Sequence, residues 1–264
     1  MDVKEERTMD YQTNEQLSEM RLHAMRLEYQ RQQELPAMAD LSFDERFGMI
    51  VSEQFNAKRE AKFNRLIRSA KLREPGACLS DIDYDPVRKI NKSAIAELSN
   101  CDWIQNGANL VITGATGVGK TYLLSAFGRA ACMRGMTVKC YRVPRLLTSL
   151  QIGKGDGSYD KLMTSMMRPN LLILDDFGIK QFDLTMTQDL LEVVEERHHA
   201  RKSIAISAQL PVKEWPTVFK DQTIADAILD RLIRNAYRFE LKGPSRRPTV
   251  VHQPSADNDN SSEL

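Results

Sequence analysis

Residues 114–121 constrain the fold of this chain more than any other segment, because they read Gly-Ala-Thr-Gly-Val-Gly-Lys-Thr. This is the nucleotide-binding P-loop pattern, whose glycines let successive backbone N–H groups surround a phosphate. Lys120 is placed to reach the β- and γ-phosphates, and Thr121 offers a hydroxyl to Mg²⁺. An apolar run precedes the pattern and a helical pattern follows it, so a helix dipole also favours the anion. The predicted nucleotide-binding residues are Gly114, Ala115, Thr116, Gly117, Val118, Gly119, Lys120, Thr121 and Tyr122.

From about residue 93 the chain alternates between apolar strands and helices, which predicts the α/β class with a parallel five-stranded sheet flanked by helices. We expect this P-loop ATPase domain to span 93–251, and the polar residues 252–264 to be a disordered tail. The predicted strands are 109–113, 137–142, 170–175, 203–207 and 236–241. The predicted helices are 119–134, 144–151, 158–167, 184–200 and 223–234.

The first 75 residues predict a small all-helical N-terminal domain, joined to the ATPase domain by a linker at 76–92. Capping-box patterns begin at Thr13 and Ser42, and Pro36 separates two helical segments. Two apolar stripes have helical spacing, one at positions 47, 50, 51 and 55 and the other at 63, 66, 67 and 70. We expect this region to serve oligomerisation or contact with DNA or a partner.

Two adjacent carboxylates, Asp175 and Asp176, end the apolar strand that begins at Leu171. In P-loop ATPases the strand beside the P-loop strand delivers an acid to Mg²⁺, and we assign this role to Asp175, with Thr121 as the other metal ligand. Asp176 then positions or activates the attacking water, and Lys120 and Asp176 are both predicted to be catalytic. A second acid directly after the first favours ATPases with an additional strand, the group that includes AAA+ proteins. Because Asp is shorter than the Glu that many AAA+ proteins carry here, we expect slow basal hydrolysis.

A third polar element follows the strand at 203–207. AAA+ proteins place there a side chain, sensor 1, that touches the γ-phosphate or the water, and either Ser207 or Gln209 fits this position. Ordinary strand-end turn residues before Pro211 give the same pattern, so both interpretations stay open.

Composition argues against several classes of protein. The net charge is only +1, so the overall charge does not indicate a nucleic-acid partner. The four cysteines form no C-x-x-C pair, which argues against a zinc knuckle or redox motif and favours reduced thiols in the cytoplasm. The charged N-terminus is unlike a secretory signal, and no apolar run approaches the roughly 18 residues of a membrane span, so we expect no membrane association. His198 and His199 are adjacent on a helix and point to different faces, which argues against a metal site.

Five motifs in one order resemble the IstB-type transposition helper ATPases of bacterial insertion sequences, a group similar to DnaC-type helicase loaders within the AAA+ class. The resemblance covers about residues 14–251. Besides the P-loop, it rests on Leu-Leu-Ile-Leu-Asp-Asp-Phe-Gly (171–178), Ala-Gln-Leu-Pro-Val-Lys-Glu-Trp (208–215), Ile-Leu-Asp-Arg-Leu-Ile (228–233) and Gly-Pro-Ser-Arg-Arg (243–247). The resemblance implies ATP and Mg²⁺ as cofactors, oligomers on duplex DNA with ATP at subunit interfaces, and assistance to a DDE transposase in selecting or remodelling target DNA.

The resemblance also implies roles for two arginines. Arg231 matches the arginine finger, which reaches the γ-phosphate of a neighbouring subunit and stabilises charge in phosphoryl transfer. Arg247 matches the sensor-2 arginine, with Arg246 as the alternative. Ala208 departs from the polar residue that the family often has near sensor 1, which leaves the identity of sensor 1 open.

Two groups of basic residues are candidates for contacts with DNA, although solvated surface charges would give the same pattern. No base-reading motif is present, so we expect backbone contacts with a steep salt dependence. The candidates are Lys58, Lys62 and Arg65 in the helical region, and Arg145, Lys154 and Lys161 around a predicted flexible loop at 152–157.

Three other functions compete with transposition. A replicative helicase loader of the DnaC type keeps the same chemistry and changes the partner. A small-molecule kinase would need an arginine-rich lid, which the sequence does not suggest. A structural DNA-binding protein would bind the nucleotide without turning it over.

Overall fold

Five parallel strands form one sheet within residues 3–246, the part of the chain that the computed structural model describes, with side chains described from residue 11 onward. The strand order is β2-β3-β4-β1-β5, and every pairing is parallel. The predicted α/β class with a five-stranded parallel sheet is therefore confirmed. The strands are β1 Asn109–Gly114, β2 Val138–Arg142, β3 Leu171–Phe177, β4 Ser203–Ala208 and β5 Ala236–Leu241.

Helices cover both faces of the sheet and precede it in the chain. The helices are α1 Val3–Glu19, α2 His23–Glu34, α3 Phe43–Ala70, α4 Lys92–Leu98, α5 Asp102–Gln105, α6 Lys120–Met133, α7 Val143–Asp156, α8 Tyr159–Met167, α9 Leu184–His199 and α10 Gln222–Ile233. Short 3-10 turns lie at Pro36–Asp40, Leu79–Asp81, Pro86–Arg88 and Val212–Val218.

The strand that carries the two acids does not lie beside the P-loop strand, and this part of the prediction is wrong. β4 pairs with β1 on one side and with β3 on the other, so it is inserted between them. The insertion is the additional strand that the adjacent acids favoured. Helix α6, which follows the P-loop, packs across β1, β4 and β3, and this brings its first turn to the acids on β3.

Alternating strand residues supply two apolar cores, one on each face of the sheet. Leu110 and Ile112 face a core formed with α4, α5, α6 and the C-terminal part of α3. Val111 faces the other core, formed with α7 to α10. This alternation is the period of two that a strand imposes on its side chains. One face therefore carries the N-terminal helix α3 together with the P-loop helix.

Helix α3 has 28 residues, and its apolar side chains are exposed in the first half and buried toward its C-terminal end. Its predicted capping box is present, because Ser42 accepts from the Glu45 amide and the Glu45 carboxylate accepts from the Ser42 amide. Its first apolar stripe is largely exposed, including Phe47 and Phe55, whereas Leu66 and Ala70 in the second stripe are buried against the sheet core. The other predicted helix start, at Thr13, is wrong, because residue 13 lies inside α1 and its capping pattern is overridden.

Two segments differ from their predicted form. Helix α7 continues to Asp156 through the predicted flexible loop at 152–157, and it ends where Gly157 adopts a left-handed φ of 79°. Gly153 allows the start of α8 to pack closely on α7, because a Cβ there would lie 3.0 Å from the Tyr159 backbone nitrogen. The predicted linker at 76–92 carries two 3-10 turns and packs against the P-loop side of the sheet. The predicted tail at 252–264 lies outside the described residues.

Candidate nucleotide site

The P-loop joins the end of β1 to the start of α6, as its sequence predicts. Gly117 and Gly119 adopt left-handed φ angles of 86° and 94°, which L-residues with a Cβ rarely reach. A Cβ at Gly119 would also meet the Arg88 guanidinium at 2.9 Å, and one at Gly117 would meet the Ser245 side chain. Helix α6 begins at Lys120, so its first-turn N–H groups and positive dipole end point toward the loop.

Lys120 is buried at the mouth of this loop. Its ammonium donates to the carbonyl oxygens of Gly114 and Ala115, each at 2.7 Å. Both acceptors belong to the P-loop itself, so the ammonium lies over the concavity that the pattern assigns to phosphate. Phosphate oxygens would compete for this charge because ionised acceptors make stronger hydrogen bonds than neutral carbonyls.

Asp175 is almost fully buried near the end of β3, where two hydroxyl groups contact its carboxylate. The Thr121 hydroxyl lies 3.1 Å from both Asp175 carboxylate oxygens, and the Ser207 hydroxyl donates to Asp175 Oδ1. The Asp176 amide in turn donates to Ser207 Oγ at 3.1 Å. The structure thus brings Thr121, Asp175 and Ser207 together across three elements of the fold.

Asp176 has an unusual backbone, with a left-handed φ of 62°. It lies where the pairing of β3 with β4 shifts register, between Leu174 and Phe177. Asp tolerates this conformation better than most residues, and strained backbone of this kind concentrates at functional sites. With this backbone, the carboxylates of Asp175 and Asp176 both lie within reach of Arg73.

Two arginines neutralise the acidic pair, and neither was predicted. Arg73 Nη1 lies 2.9 Å from Asp175 Oδ2 and 3.1 Å from Asp176 Oδ2. Arg142 Nε, from the end of β2, lies 2.7 Å from Asp176 Oδ2. Arg73 and Asp175 are 102 positions apart in the sequence, so no local pattern predicts this contact.

A cavity of about 370 Å³ opens beside these groups. This is within the usual size range of small-molecule sites. One side consists of P-loop residues with Tyr122 and Asp176, and the other comes from the segment 76–92. The lining from that segment includes Asp81, Ile82, Asp83, Arg88 and Ile90.

The segment 76–92 is attached to the P-loop by Arg88. This buried side chain donates to the Val118 carbonyl at 3.0 Å and to the Asp83 carbonyl at 2.7 Å. Arg246 pairs with the Asp83 carboxylate, and its amide donates to the Gly117 carbonyl at 3.0 Å. The short polar residues of this segment predicted a linker. In the structure the segment forms one wall of the cavity, and Arg88 fixes it to the P-loop.

The two sensor-1 alternatives lie in different places. Ser207 is fully buried and its hydroxyl donates to Asp175, so it orients that carboxylate. Gln209 is exposed and lines the cavity. The geometry therefore favours Gln209 as the side chain able to meet a nucleotide. Arg246, the alternative for sensor 2, also lines the cavity, whereas Arg247 lies outside the described residues.

Arg231 lies far from this cavity, at the opposite end of β1. The Asn109 side chain, at the start of β1, donates to the Arg231 carbonyl at 3.0 Å. Since β1 has six residues, the two ends are roughly 20 Å apart. The Arg231 guanidinium pairs with Glu195 at 2.9 Å and donates to the Ala227 carbonyl at 2.8 Å. It therefore cannot serve the P-loop of its own subunit.

The six candidate DNA residues have different surroundings. Lys58, Lys62 and Arg65 are exposed on α3, and Arg145 and Lys161 are exposed near α7 and α8. The prediction that Lys154 lies in a flexible loop is wrong, because Lys154 lies in helix α7, and its contact with DNA stays a prediction. Its ammonium is 2.8 Å from the Asp189 carboxylate and lies over the Tyr159 ring, so it is used in packing α7 against α9.

Comparisons with known proteins add a family and a fold. The model of the family described as IstB-like ATP binding protein matches residues 15–253. An insertion sequence ATP-binding protein of Sinorhizobium fredii is 39% identical over 78% of this chain and 84% of its own length. The insertion sequence IS1162 ATP-binding protein of Pseudomonas fluorescens is 37% identical over 79% of this chain and 94% of its own length.

Solved structures with the same fold include AAA+ proteins of DNA replication. The crystal structure of DnaI superposes with a TM-score of 0.55 at 22% identity, covering 65% of this chain and 90% of that chain. The crystal structure of the DnaC helicase loader superposes with a TM-score of 0.52 at 17% identity, covering 63% of this chain and 97% of that chain. The structure of the replication initiator DnaA bound to AMPPCP and single-stranded DNA superposes with a TM-score of 0.53 at 17% identity, covering 64% of this chain and 51% of that chain. At these identities the likeness shows the AAA+ fold alone. No helix among residues 3–246 has the length and apolarity to cross a membrane.

Proposed function

Because the chain belongs to the family of IstB-like ATP-binding proteins, we propose that this AAA+ ATPase assembles on duplex DNA and assists a DDE transposase. The assistance would consist of selecting or remodelling the target DNA. The observation that supports the proposal best is the cluster of Lys120, Thr121, Asp175 and Asp176 at one edge of a 370 Å³ cavity. The names of its relatives, which are insertion sequence ATP-binding proteins, supply the biological setting.

The donor set at Asp175 fits Mg²⁺. Mg²⁺ in nucleotide sites takes one or two protein oxygens together with phosphate oxygens and waters, and the Thr121 hydroxyl and Asp175 carboxylate face each other at 3.1 Å. Bound there, Mg²⁺ would neutralise the negative charge that develops on the phosphates. Ser207 holds the Asp175 carboxylate in place, and Lys120 would turn from the P-loop carbonyls to the phosphates.

Asp176 would orient the attacking water, and its surroundings support slow basal hydrolysis. Its carboxylate is engaged by Arg142 at 2.7 Å and by Arg73 at 3.1 Å. Both contacts are made to Asp176 Oδ2, so they hold the carboxylate toward the arginines and not toward a water. Turnover therefore depends on a rearrangement of these arginines, for which DNA and the transposase are the proposed triggers.

The position of Arg231 supports a site shared between subunits. An arginine roughly 20 Å from its own P-loop can contribute to hydrolysis only in a neighbouring subunit. Arg234 is the alternative finger on the same surface, because its side chain is 81% exposed and its ion pair with Asp230 is long, at 3.7 Å. ATP bound at such a joint would favour assembly because it contacts both subunits.

The proposed contacts with DNA are Lys58, Lys62 and Arg65 on α3, together with Arg145 and Lys161. Their side chains can reach phosphates, and five such contacts would give a strongly salt-dependent affinity. Backbone contacts of this kind fit a protein that acts at many target sequences.

The test is an ATPase assay with duplex DNA, the transposase of the same insertion sequence, and both together. We expect slow turnover alone, at least tenfold stimulation with both, and oligomers on DNA by electron microscopy only with ATP. Lys120→Ala should abolish ATP binding. Arg231→Ala should bind ATP without stimulation, and mixing it with Lys120→Ala should restore part of the activity, because one variant supplies ATP and the other the finger.

Turnover that neither DNA nor transposase alters, with no assembly on DNA, would argue against the proposal. A replicative helicase loader is the second candidate, favoured by the AAA+ fold shared with the DnaC helicase loader. Pull-down with purified replicative helicase and purified transposase separates the two, because each candidate function predicts capture of only one of them.

A further inference from the structure

We propose that Arg73 and Mg²⁺ compete for the same carboxylate oxygens, so that binding of the Mg²⁺–nucleotide releases the C-terminal end of helix α3 from the nucleotide site. This inference rests on the proposed function, since it takes Asp175 as the metal acid. It assigns the helical N-terminal region a role as a sensor of the bound metal–nucleotide.

The contact geometry is the basis of the proposed competition. Arg73 Nη1 lies 2.9 Å from Asp175 Oδ2, and Thr121 Oγ1 lies 3.1 Å from the same oxygen. A ligand of Mg²⁺ approaches the metal to about 2.0–2.1 Å, and Mg²⁺ demands a nearly ideal octahedron around itself. Mg²⁺ bound to Asp175 would repel the guanidinium and reduce the negative charge that attracts it, so we expect each cation to weaken the binding of the other.

The environment of Arg73 is suited to release. Its side chain is 43% exposed, so water can solvate the guanidinium once it leaves the carboxylates. Arg142 remains on Asp176, so the second acid keeps a cation after Arg73 departs. A permanent structural arginine looks different in this molecule, since Arg197 is 1% exposed and bonded to backbone carbonyls.

The chain connects Arg73 directly to α3. The helix ends at Ala70, and Lys71 turns the chain with a left-handed φ of 52°. Lys139, which donates to the Ser69 carbonyl at 3.0 Å, and Arg73, on the two acids, tie the end of α3 to the strands of the sheet. The segment is also held to α6, where the Glu74 amide donates to Ser125 Oγ at 3.4 Å. Release of Arg73 removes its contact with the acids, and we expect residues 71–76 to gain freedom.

The same helix carries the exposed basic residues Lys58, Lys62 and Arg65. A change at residues 71–76 therefore alters how α3 is held against the sheet that binds the nucleotide. By reciprocity of coupled equilibria, a partner that pulls on α3 would make the acids more available to Mg²⁺. This links the proposed stimulation by DNA to a named contact.

The test measures the Mg²⁺ concentration needed for half-maximal tightening of binding of a non-hydrolysable ATP analogue. Arg73→Ala should lower this concentration about tenfold, a coupling typical of linked sites, and Arg73→Lys should stay nearer the wild type because it keeps the charge. Arg134→Ala, which removes an exposed arginine outside the site, should behave as the wild type. Hydrogen exchange in the wild-type chain, with the analogue present throughout, should become several-fold faster at residues 71–76 when Mg²⁺ is added.

The exchange measurement decides the question even if Arg73→Ala does not fold, because it uses the natural chain. The inference is overturned, with the proposed function intact, if Mg²⁺ tightens binding through Asp175 but neither Arg73→Ala nor exchange at 71–76 responds. In that case Asp175→Asn abolishes the Mg²⁺ effect while Arg73 is irrelevant to it. If Mg²⁺ has no effect on wild-type binding, both the inference and the proposed metal site fail.

Discussion

The two ends of the parallel sheet use arginine in opposite ways. At the carboxyl end, Arg73 and Arg142 are each more than 40% exposed and pair with the carboxylates of Asp175 and Asp176. At the amino end, Arg197 is 1% exposed and donates to backbone carbonyls, including those of Pro169 at 3.0 Å and Ser203 at 2.6 Å. The backbone carbonyls are neutral and fixed in place, and they keep Arg197 as their donor. The carboxylates are charged and can exchange an arginine for another cation. Arg197 is therefore a structural residue, whereas the arginines at the carboxyl end can change partners when a ligand binds there.

The largest effect should follow from replacing Arg197. In Arg197→Met the carbonyls of residues 166, 169, 170 and 203 lose their common donor in a buried place. We expect a loss of about 3–5 kcal/mol in the free energy of unfolding, because each unsatisfied buried acceptor costs about 1–3 kcal/mol. Urea unfolding followed by circular dichroism measures it, with Arg201→Met as the exposed control. Equal stability of the two variants would break the comparison.

Replacing Asp176 should affect turnover and leave the fold intact. Asp176→Asn keeps the side-chain shape but removes the base, so we expect hydrolysis in the presence of DNA and transposase to fall about 100-fold with unchanged ATP affinity. Turnover and nucleotide binding are measured on the same preparation, and the exposed Asp160→Asn is the matched control. Unchanged stimulated turnover would mean that Asp176 does not position the water, and that the carboxyl end has another base.

Thiol reactivity should show a smaller difference between the cavity wall and the cores. A hydrogen bond from Ser80 lowers the pKa of the half-exposed Cys78 thiol, whereas burial raises the pKa of Cys101 to about 11 and those of Cys132 and Cys140 to about 12. Because the thiolate is the reactive form, alkylation at Cys78 should begin at a lower pH and rise as the pH approaches its pKa.

Mass spectrometry of alkylated peptides measures these rates, and the Cys78→Ser variant shows the background from the other three thiols. We expect Cys78 to react several-fold faster at pH 7.5. Comparable labelling of Cys132 or Cys140 would mean that the cores open readily and that the two regions differ less than the structure shows.

The parts of the site that could be predicted from sequence are those made by neighbours in the chain. The P-loop, Lys120 and Thr121 lie within one continuous turn, and the pair Asp175–Asp176 ends one apolar strand. Predicting these two groups requires only the spacing of residues along the chain and the rule that parallel strands have their carboxyl ends at the same edge of the sheet. The five parallel strands follow from the alternation of patterns, and the IstB-like family followed from five motifs in order.

The parts that were missed depend on contacts between distant residues. Arg73 reaches Asp175 across 102 positions, and Arg88 reaches Val118 across 30. A single sequence does not reveal which distant cation lies beside an acid, since solvated and paired arginines look the same. Lys154 was misjudged for the same reason, because its partner Asp189 lies 35 residues away on another helix. The insertion of β4 between β1 and β3 is likewise a property of pairing and not of any strand.

The residues that follow β5 determine where the chain can be shortened. Lys242 donates its amide to the Arg88 carbonyl at 3.2 Å, and Arg246 donates its amide to the Gly117 carbonyl at 3.0 Å. The chain thus crosses the segment 76–92 and the P-loop after the last strand is complete. A truncation that ends at Leu241 would keep all five strands of the sheet and still remove a wall of the cavity. The smallest nucleotide-binding fragment of this protein must therefore extend beyond β5.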